Sequence, residues 1–309
     1  MTMHPVYDET VAVLENRSLT GGHFLLSLYS PRQAHATRAG QFAMIRLVDH
    51  SDVLLRRPMS IYDVKPLTVN DPATLSTWEH ASSLSDASGA SASNSPAILQ
   101  LLYKVVGRGT RLMARLKRGE QLGLLAPLGH GFFLEEYLEE ARRADEVLHV
   151  AGGIGIAALL LPARDLAKAG ARQRLFFGGR TKQDLVGLDE FRKLAMPEVL
   201  ATENGSDGYR GYVTKPLEQY LEQHRDKKFL LMVCGPWAML HASVELARRY
   251  GHRCLVSMEN RMGCALGVCL GCCIPVRGTG HGSYQRVCTE GPVFWAEKVI
   301  WNREELPKT

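Results

Sequence analysis

Five of the seven cysteines crowd into the stretch Met258–Phe294: Cys264, Cys269, Cys272, Cys273 and Cys288. Four of them, Cys264, Cys269, Cys272 and Cys288, spell C-x4-C-x2-C-x15-C. The C-x4-C-x2-C part is a spacing with which a short loop and one distant arm bring four thiolates to a [2Fe–2S] cluster. The glycines between them suit that chemistry. A loop that wraps a cluster closely brings main-chain N–H groups to the sulfurs and tunes the potential. Gly263, Gly267 and Gly271 allow the turns and close approach that side chains would block. Cys273 is a bystander in this scheme. A structural zinc site would show two C-x2-C pairs, and only Cys269/Cys272 makes one. A disulfide framework does not suit a long chain with an odd number of cysteines.

The elements that must position these thiols come from a chain of 309 residues, enough for two or three domains with cores of their own. Its 37 basic and 32 acidic residues leave a mild net charge of +5, without the basic stripe that nucleic-acid binding needs. The opening residues MTMHPVYDETV lack a basic region followed by an apolar run, so no signal peptide is expected. The longest apolar run, Val147–Leu161, is broken by Gly152, Gly153 and Gly155 and is too short to span a bilayer. Reduced thiols and a cluster favour the cytoplasm, with no membrane partner.

The first third alternates apolar and polar residues from Thr10 to Leu28, with Gly21-Gly22 placed to turn a hairpin. Strand patterns recur at Gly40–Leu47, Leu54–Tyr62 and Ile98–Val106, which predicts a small antiparallel barrel. Between them, 71–97 is Ser/Ala-rich with little to bury and reads as an insertion in a barrel loop. Gly107-Arg108-Gly109-Thr110 then opens a helix over RLMARLKRG with Thr110 as N-cap. Its free N–H groups suit a phosphate, and equally an ordinary helix start.

From Glu146 the pattern changes to strands alternating with helices. Glu146–Ala151 runs into Gly152-Gly153-Ile154-Gly155 and a helix in which Pro162 should form a kink. Strand, glycine turn and helix form the phosphate-binding arrangement of doubly wound folds, although G-G-x-G is not the full dinucleotide fingerprint and also serves as a plain tight connection. Further strands are expected at Arg174–Arg180, Glu198–Glu203 and Lys228–Val233. Parallel strands gather ligands at their carboxyl ends, where Gly152, Gly153, Gly155, Glu203 and Cys234-Gly235-Pro236 fall. Glu203 is either a solvated acid or a partner for the adenine ribose hydroxyls, which would favour NAD. Cys234 is either a small buried hydrophobe or part of the site.

Arg57-Pro58-Met59-Ser60 resembles the R-x-x-S flavin motif of the ferredoxin-reductase superfamily. The resemblance implies that Arg57 binds the FAD pyrophosphate, and that Ser60 lies against the isoalloxazine. Met59 stands where many members carry a tyrosine. By the same resemblance Leu102-Tyr103-Lys104 and Gly109-Thr110 complete the FAD site, and Cys234-Gly235-Pro236 lies beside the nicotinamide.

The order of parts narrows the family. Oxygenase reductases attach a whole plant-type ferredoxin, and the 51 residues from Glu259 to Thr309 are too few for one. Over essentially the whole chain outside 71–97, the motifs RRP-x-S, A-G-Q-F, V-G-x-G-T, G-G-I-G, C-G-P, R-M-G-C-x4-C-L-G-C and R-V-C-x-x-G-P-V-F resemble the electron-transfer subunit of type B dihydroorotate dehydrogenase. Subunits of sulfide dehydrogenase and of NADH-dependent ferredoxin:NADP oxidoreductase are similar, with aspartate in place of the first cluster cysteine. Cys264 argues against them. The resemblance implies FAD, a [2Fe–2S] cluster and NAD(H), with electrons flowing from dihydroorotate to NAD⁺. It also implies a separate FMN-containing catalytic subunit as partner, in a heterotetramer of two of each, serving pyrimidine (UMP) biosynthesis. FAD belongs between the other two carriers, because nicotinamide exchanges a hydride and a cluster single electrons. Its faces are expected toward Cys234 on one side and, by the dimethylbenzene edge, toward the cluster. Alternatives are a diaphorase-like subunit of a hydrogenase or another oxidoreductase, and a non-redox zinc-binding module. The expected architecture is an FAD-binding barrel over 1–142, a doubly wound parallel-sheet NAD-binding α/β domain over 143–257, and a small [2Fe–2S] arm over 258–309.

Overall fold

The alternating strands of the first third close on themselves. The computed structural model describes residues 5–48, 53–67, 95–278 and 283–302. Strands β1 (Tyr7–Ser18), β2 (His23–Tyr29), β3 (Phe42–Leu47), β4 (Arg57–Pro66), β5 (Ala97–Lys104) and β6 (Gln121–Leu128) form a closed antiparallel barrel in the order β1-β2-β5-β4-β3-β6. Period-two side chains fill it: Val11 and Val13, Leu26 and Leu28, Leu99 and Leu101, Leu122 and Leu124 share one core. The strand β6 has no alternation to announce it, because both of its faces are apolar. Leu122 and Leu124 enter the barrel, while Leu125 and Leu128 join the core of the next domain. The insertion expected over 71–97 lies outside the described residues as far as 94, and Ala97 is already the first residue of β5.

Helix α1 (Pro31–Ala36) packs on the barrel, and α2 (Arg108–Met113) is shorter than the sequence suggests. The N-cap of α2 is Gly107, not Thr110. Thr110 lies a turn further in, where its hydroxyl accepts the N–H groups of Val106 and Gly107 at 2.9 and 3.0 Å. The chain then tightens, with Arg115 and Leu116 bonding three residues back, and turns into β6.

After α3 (Glu135–Arg143) comes a seven-stranded sheet in the order β10-β9-β8-β7-β11-β12-β15. Its strands β7 (Glu146–Gly152), β8 (Gln173–Gly179), β9 (Glu198–Thr202), β10 (Tyr209–Arg210), β11 (Phe229–Cys234) and β12 (Arg253–Ser257) run parallel. Both faces are covered, as parallel sheets require. Leu148, Val150, Phe176 and Val233 pack with α6 (Thr214–Gln223) and α7 (Trp237–Arg249). Val147, Ala151, Phe177 and Met232 pack with α3, α4 (Leu160–Lys168) and α5 (Leu188–Arg192). Pro162 makes no kink. The chain leaves β7 as a 3₁₀ segment, Gly153–Ala158, and Pro162 falls in the first turn of α4, where its missing N–H is no loss.

The arm does not hang free from residue 258. Its strand β15 (Val293–Trp295) pairs antiparallel with β12, with Ser257 opposite Val293. A small hairpin, β13 (Cys273–Pro275) with β14 (Tyr284–Arg286), lies between. Cys272, Ile274, Val287 and Cys288 belong to the same core as Val256 and Phe294.

The barrel and the sheet are joined by buried charge. Asp63 on β4 is fully buried; it is bonded by Arg164 of α4 and by Lys65 at 3.1 Å. Arg164 and Lys65 also reach Glu190 of α5, at 2.5 and 3.0 Å. Beside them Tyr62 donates its hydroxyl to the Gly187 carbonyl at 3.0 Å. Burial raises the pKa of Asp63, and Arg164 and Lys65 oppose it; two cations on one carboxylate favour the ionised form. Burial likewise works against ionised Glu190, but Lys193 and Lys65 outweigh it and hold its pKa at about 2.

Arg164→Ala strands the buried Asp63 with one cation. It should cost about 3 kcal/mol and lower the melting temperature by several degrees in a thermal-shift assay. Glu190 has a depressed pKa, so its contribution is complete above its ordinary value of 4.5 and is lost as pH falls toward 2. The melting-temperature gap between wild type and Glu190→Gln should therefore shrink between about pH 5 and about pH 3. A gap that stays constant would locate the stabilisation elsewhere.

Candidate functional site

At the carboxyl ends of β7, β8, β9 and β11 lies a cleft of ≈ 630 Å³. Its floor is two glycine loops pressed together. A Cβ on Gly155 would stand 2.4 Å from the Cys234 carbonyl oxygen, and one on Gly235 would stand 2.9 Å from the Gly152 nitrogen. Only main chain fits there. Gly152, Gly153, Gly155, Glu203, Gly235 and Pro236 all line the cleft. Cys234 does not: its thiol is buried in the sheet core, and that burial pushes its pKa up. A second crevice, of ≈ 560 Å³, opens beside Asp145 and Arg172, at the amino ends of β7 and β8, where a parallel sheet presents no ligand loops.

Residues that the sequence did not single out also line the cleft: Arg180 and Asp184 after β8, Tyr212 before α6 and Thr214 at its start, Met239 of α7, and Glu259. Their segments carry no motif, and only the fold brings them together. Glu259 is open to the cleft yet crowded by protein, and burial raises its pKa. All three parts of the chain meet here, since Lys104 comes from the barrel and Glu259 from the start of the arm. Lys104 is bonded to Asp184 at 2.5 Å. Burial opposes ionised Asp184, and the bond to Lys104 more than compensates, leaving its pKa below the usual carboxylate range.

At the barrel rim, two segments distant in sequence come into contact. The Arg57 guanidinium lies so close to Gly109 that a Cβ there would stand 2.1 Å from its Nε. Arg57 also donates to the carbonyls of Leu55 and Val53, the latter at 3.5 Å. Pro58, Met59 and Ser60 follow in β4, paired with Met44, Ala43 and Phe42 of β3. Ile61 pairs with Leu101, which sets this end of β4 beside Leu102–Lys104 of β5. Tyr103 turns inward, donating to Asn16 at 3.2 Å and stacking on Phe24. Leu102 is buried against the sheet domain. These two side chains are occupied by packing, so they offer a ligand main chain only.

In the arm, the cysteines fall into two pairs. Cys264 lies beside Cys269, whose N–H reaches its sulfur at 3.4 Å, and Cys288 lies beside Cys272, all as free thiols. Among the described residues no three such groups converge on a single ion. A two-iron centre does not ask for that, because bridging sulfides complete each iron and four thiolates serve two metals. The donor set therefore fits a [2Fe–2S] cluster. Cys272 and Cys288 form the buried pair, while Cys269 is exposed. Burial works against the Cys264 thiolate, but N–H groups from Cys269, Leu266 and Val268 outweigh it and bring its pKa to about 6. Burial raises Cys288 to about 12, with Cys272 adding to the effect. Gly263 closes on the Cys269 sulfur, its Cβ position only 3.3 Å away. Cys273 stands outside the pairs, in β13. Leu266, Val268 and Leu270 of the cluster loop point to solvent, 54, 80 and 61 % exposed.

The chain is similar to known proteins over most of its length. Residues 259–300 match the iron–sulfur cluster binding domain of dihydroorotate dehydrogenase B, and residues 149–245 match the oxidoreductase NAD-binding domain. The chain is 30% identical to the dihydroorotate dehydrogenase B (NAD(+)) electron transfer subunit of Desulforamulus reducens, over 90% of this chain and 92% of that one. It is 32% identical to the homologous subunit of Aquifex aeolicus, over 93% and 96%. Among solved structures it is similar to an NADH-dependent reduced ferredoxin-NADP oxidoreductase, with a TM-score of 0.72, 26% identity, and 94% and 90% of the two chains covered. A ferredoxin NADP⁺ reductase from Neisseria gonorrhoeae with bound FAD and NADP shares the fold at a TM-score of 0.56 and 16% identity, over 79% and 92%.

Gly155→Ala forces a methyl group onto the Cys234 carbonyl. Overpacking of this kind costs about 1–3 kcal/mol, so NADH binding should weaken about tenfold at unchanged flavin content. The KM for NADH in a dye-reduction assay measures it, and an unaltered KM would mean that the two loops do not form the nucleotide floor.

Proposed function

The chain belongs to the family of electron transfer subunits of dihydroorotate dehydrogenase B (NAD(+)), and from that membership we propose which of its residues carry the current. As a flavin and iron–sulfur oxidoreductase subunit of pyrimidine synthesis, it relays electrons between a catalytic partner subunit and NAD. When bound, FAD supplies the conversion between hydride transfer with NAD(H) and one-electron exchange with a [2Fe–2S] cluster.

Arg57, fixed across Gly109, presents a cation to the FAD pyrophosphate, and Pro58, Met59 and Ser60 continue the flavin site along β4. Lys104 and the main chain of Leu102 and Tyr103 border it, and Thr110 braces the turn at Gly107. Gly152, Gly153 and Gly155 leave room for the nicotinamide nucleotide, Glu203 takes its adenine ribose, and Gly235 and Pro236, carried by the main chain of Cys234, form the end nearest the flavin. Cys264 with Cys269, and Cys272 with Cys288, hold the cluster. The observation that carries this reading is the shared cleft, lined by Lys104 of the barrel, the glycine loops of the sheet and Glu259 of the arm. Such a junction supports a relay of three carriers within one connected body.

The partner takes its electrons from dihydroorotate with FMN, and two subunits of each kind assemble; the exposed Leu266, Val268 and Leu270 suit an entry from the partner through the cluster loop. Electrons flow toward NAD⁺. Among the described residues no helix is long and apolar enough to cross a membrane, and seven free cysteines accord with a reducing cytoplasm.

An absorption spectrum with iron, sulfide and flavin counted per chain tests the inventory; anaerobically purified protein lacking all of them would end this reading. Reconstitution with a dihydroorotate-oxidising subunit should restore NAD⁺ reduction. Cys269→Ser should abolish the cluster bands and transfer to the partner while dye reduction by NADH persists. If dye reduction collapses equally, the order of carriers is wrong. Arg57→Ala should release FAD on dilution, and undiminished flavin content would remove Arg57 from the site.

A further inference from the structure

One charged pair in the arm is built into the cluster loop itself. Arg286 on β14 faces Cys273 of β13 across the hairpin. Its Nη1 donates to the Gly267 carbonyl at 3.2 Å, reaching into the loop between Cys264 and Cys269. Glu290 holds the guanidinium in place. Nε donates to its two carboxylate oxygens at 3.1 and 3.0 Å, Nη2 bonds the same group, and the backbone N–H of Arg286 adds a bond of 2.6 Å. Gly267 has little freedom beneath this clamp. It sits at φ +79°, and a Cβ there would lie 3.1 Å from Nη1 and 3.0 Å from Thr289 Cγ2. On either side of it the N–H groups of Leu266 and Cys269 reach the Cys264 sulfur, each at 3.4 Å. One glycine is thus gripped at its carbonyl by Arg286 in the middle of a loop whose amides serve a cluster thiolate.

We propose that Arg286 is a positioning residue for the cluster, which through the Gly267 carbonyl holds the Leu266 and Cys269 N–H groups on Cys264 and, with Glu290 as counterweight, sets the reduction potential. The inference rests on the four-cysteine reading and extends it to what tunes the centre. An amide dipole and a fixed cation both favour the extra electron of the reduced state. The Arg286 side chain is 39 % exposed, so water screens its charge, and the expected effect is modest.

The test is an anaerobic redox titration of the full chain, followed by electron paramagnetic resonance, with iron and sulfide counted. Arg286→Gln frees the Gly267 peptide and leaves Glu290 unbalanced, so the midpoint should fall. A shift of up to about tenfold in the reduced-to-oxidised ratio at fixed poise is about 59 mV for a one-electron couple. Glu290→Gln should move the midpoint upward. Arg286→Lys keeps the charge without the fork and should recover part of the loss. The proposal is overturned by an unchanged midpoint in Arg286→Gln with its iron and sulfide intact. It is overturned equally by shifts of the same sign in Arg286→Gln and Glu290→Gln, or by loss of the cluster from both Arg286 variants. Wild-type protein without iron and sulfide would instead overturn the four-cysteine reading, so the two failures are distinct.

Discussion

Asp63 has no water to turn to. Fully buried on a barrel strand, its carboxylate accepts the Val64 N–H at 2.9 Å, and its charge is met by Arg164, which comes from the other domain, and by Lys65, which is itself tied to Glu190 of that domain. Breaking a buried pair of this kind costs far more than breaking a surface one. The barrel is thereby kept from swinging against the sheet. A relay depends on that, because transfer between bound groups needs their separation and orientation to be maintained. Lys104 with Asp184 repeats the device on a smaller scale at the edge of the cleft.

The arm is joined by a different kind of force. Its hydrophobic side chains share one continuous core with β12 and α7, and Cys272 and Cys288 are part of that core. Packing fixes the inner pair of thiols, while Cys269 stays at the surface on a loop whose leucine and valine side chains face solvent. One half of the four-thiol set is placed by the body of the protein. The other half stands on a loop that Arg286 and Glu290 pin from outside.

What was legible in the sequence follows from how locally each feature is encoded. The cysteine spacing, the glycine loops and the strands at 146–152 and 229–234 depend on near neighbours along the chain, and they stand where expected. Arg57 and Gly109, from separate motifs, touch. The strand β6 escaped notice because both its faces are apolar, and period-two reasoning needs one polar face. β15 is three residues long and meaningful only beside β12. Thr110 looked like a cap because Thr is a good one, yet the backbone of Gly107 takes that role and the hydroxyl reaches back to it. Cys234 had the right neighbours but faces the core, and Tyr103 faces the barrel interior. Strand parity decides such orientations, and it becomes certain only when the partners are known.

The direct pairing of Ser257 with Val293 has an architectural meaning. Everything that binds iron enters and leaves the sheet at two points only about 5 Å apart, so the metal-carrying stretch is topologically a long hairpin loop on a finished scaffold. Its ends are brought together by the scaffold's own ladder, and metal uptake does not have to supply that closure. In engineering terms the contact for the partner's electrons is a cartridge: a loop with another centre, spliced between the same two residues, would inherit the socket without redesign of the parts that handle flavin and nucleotide.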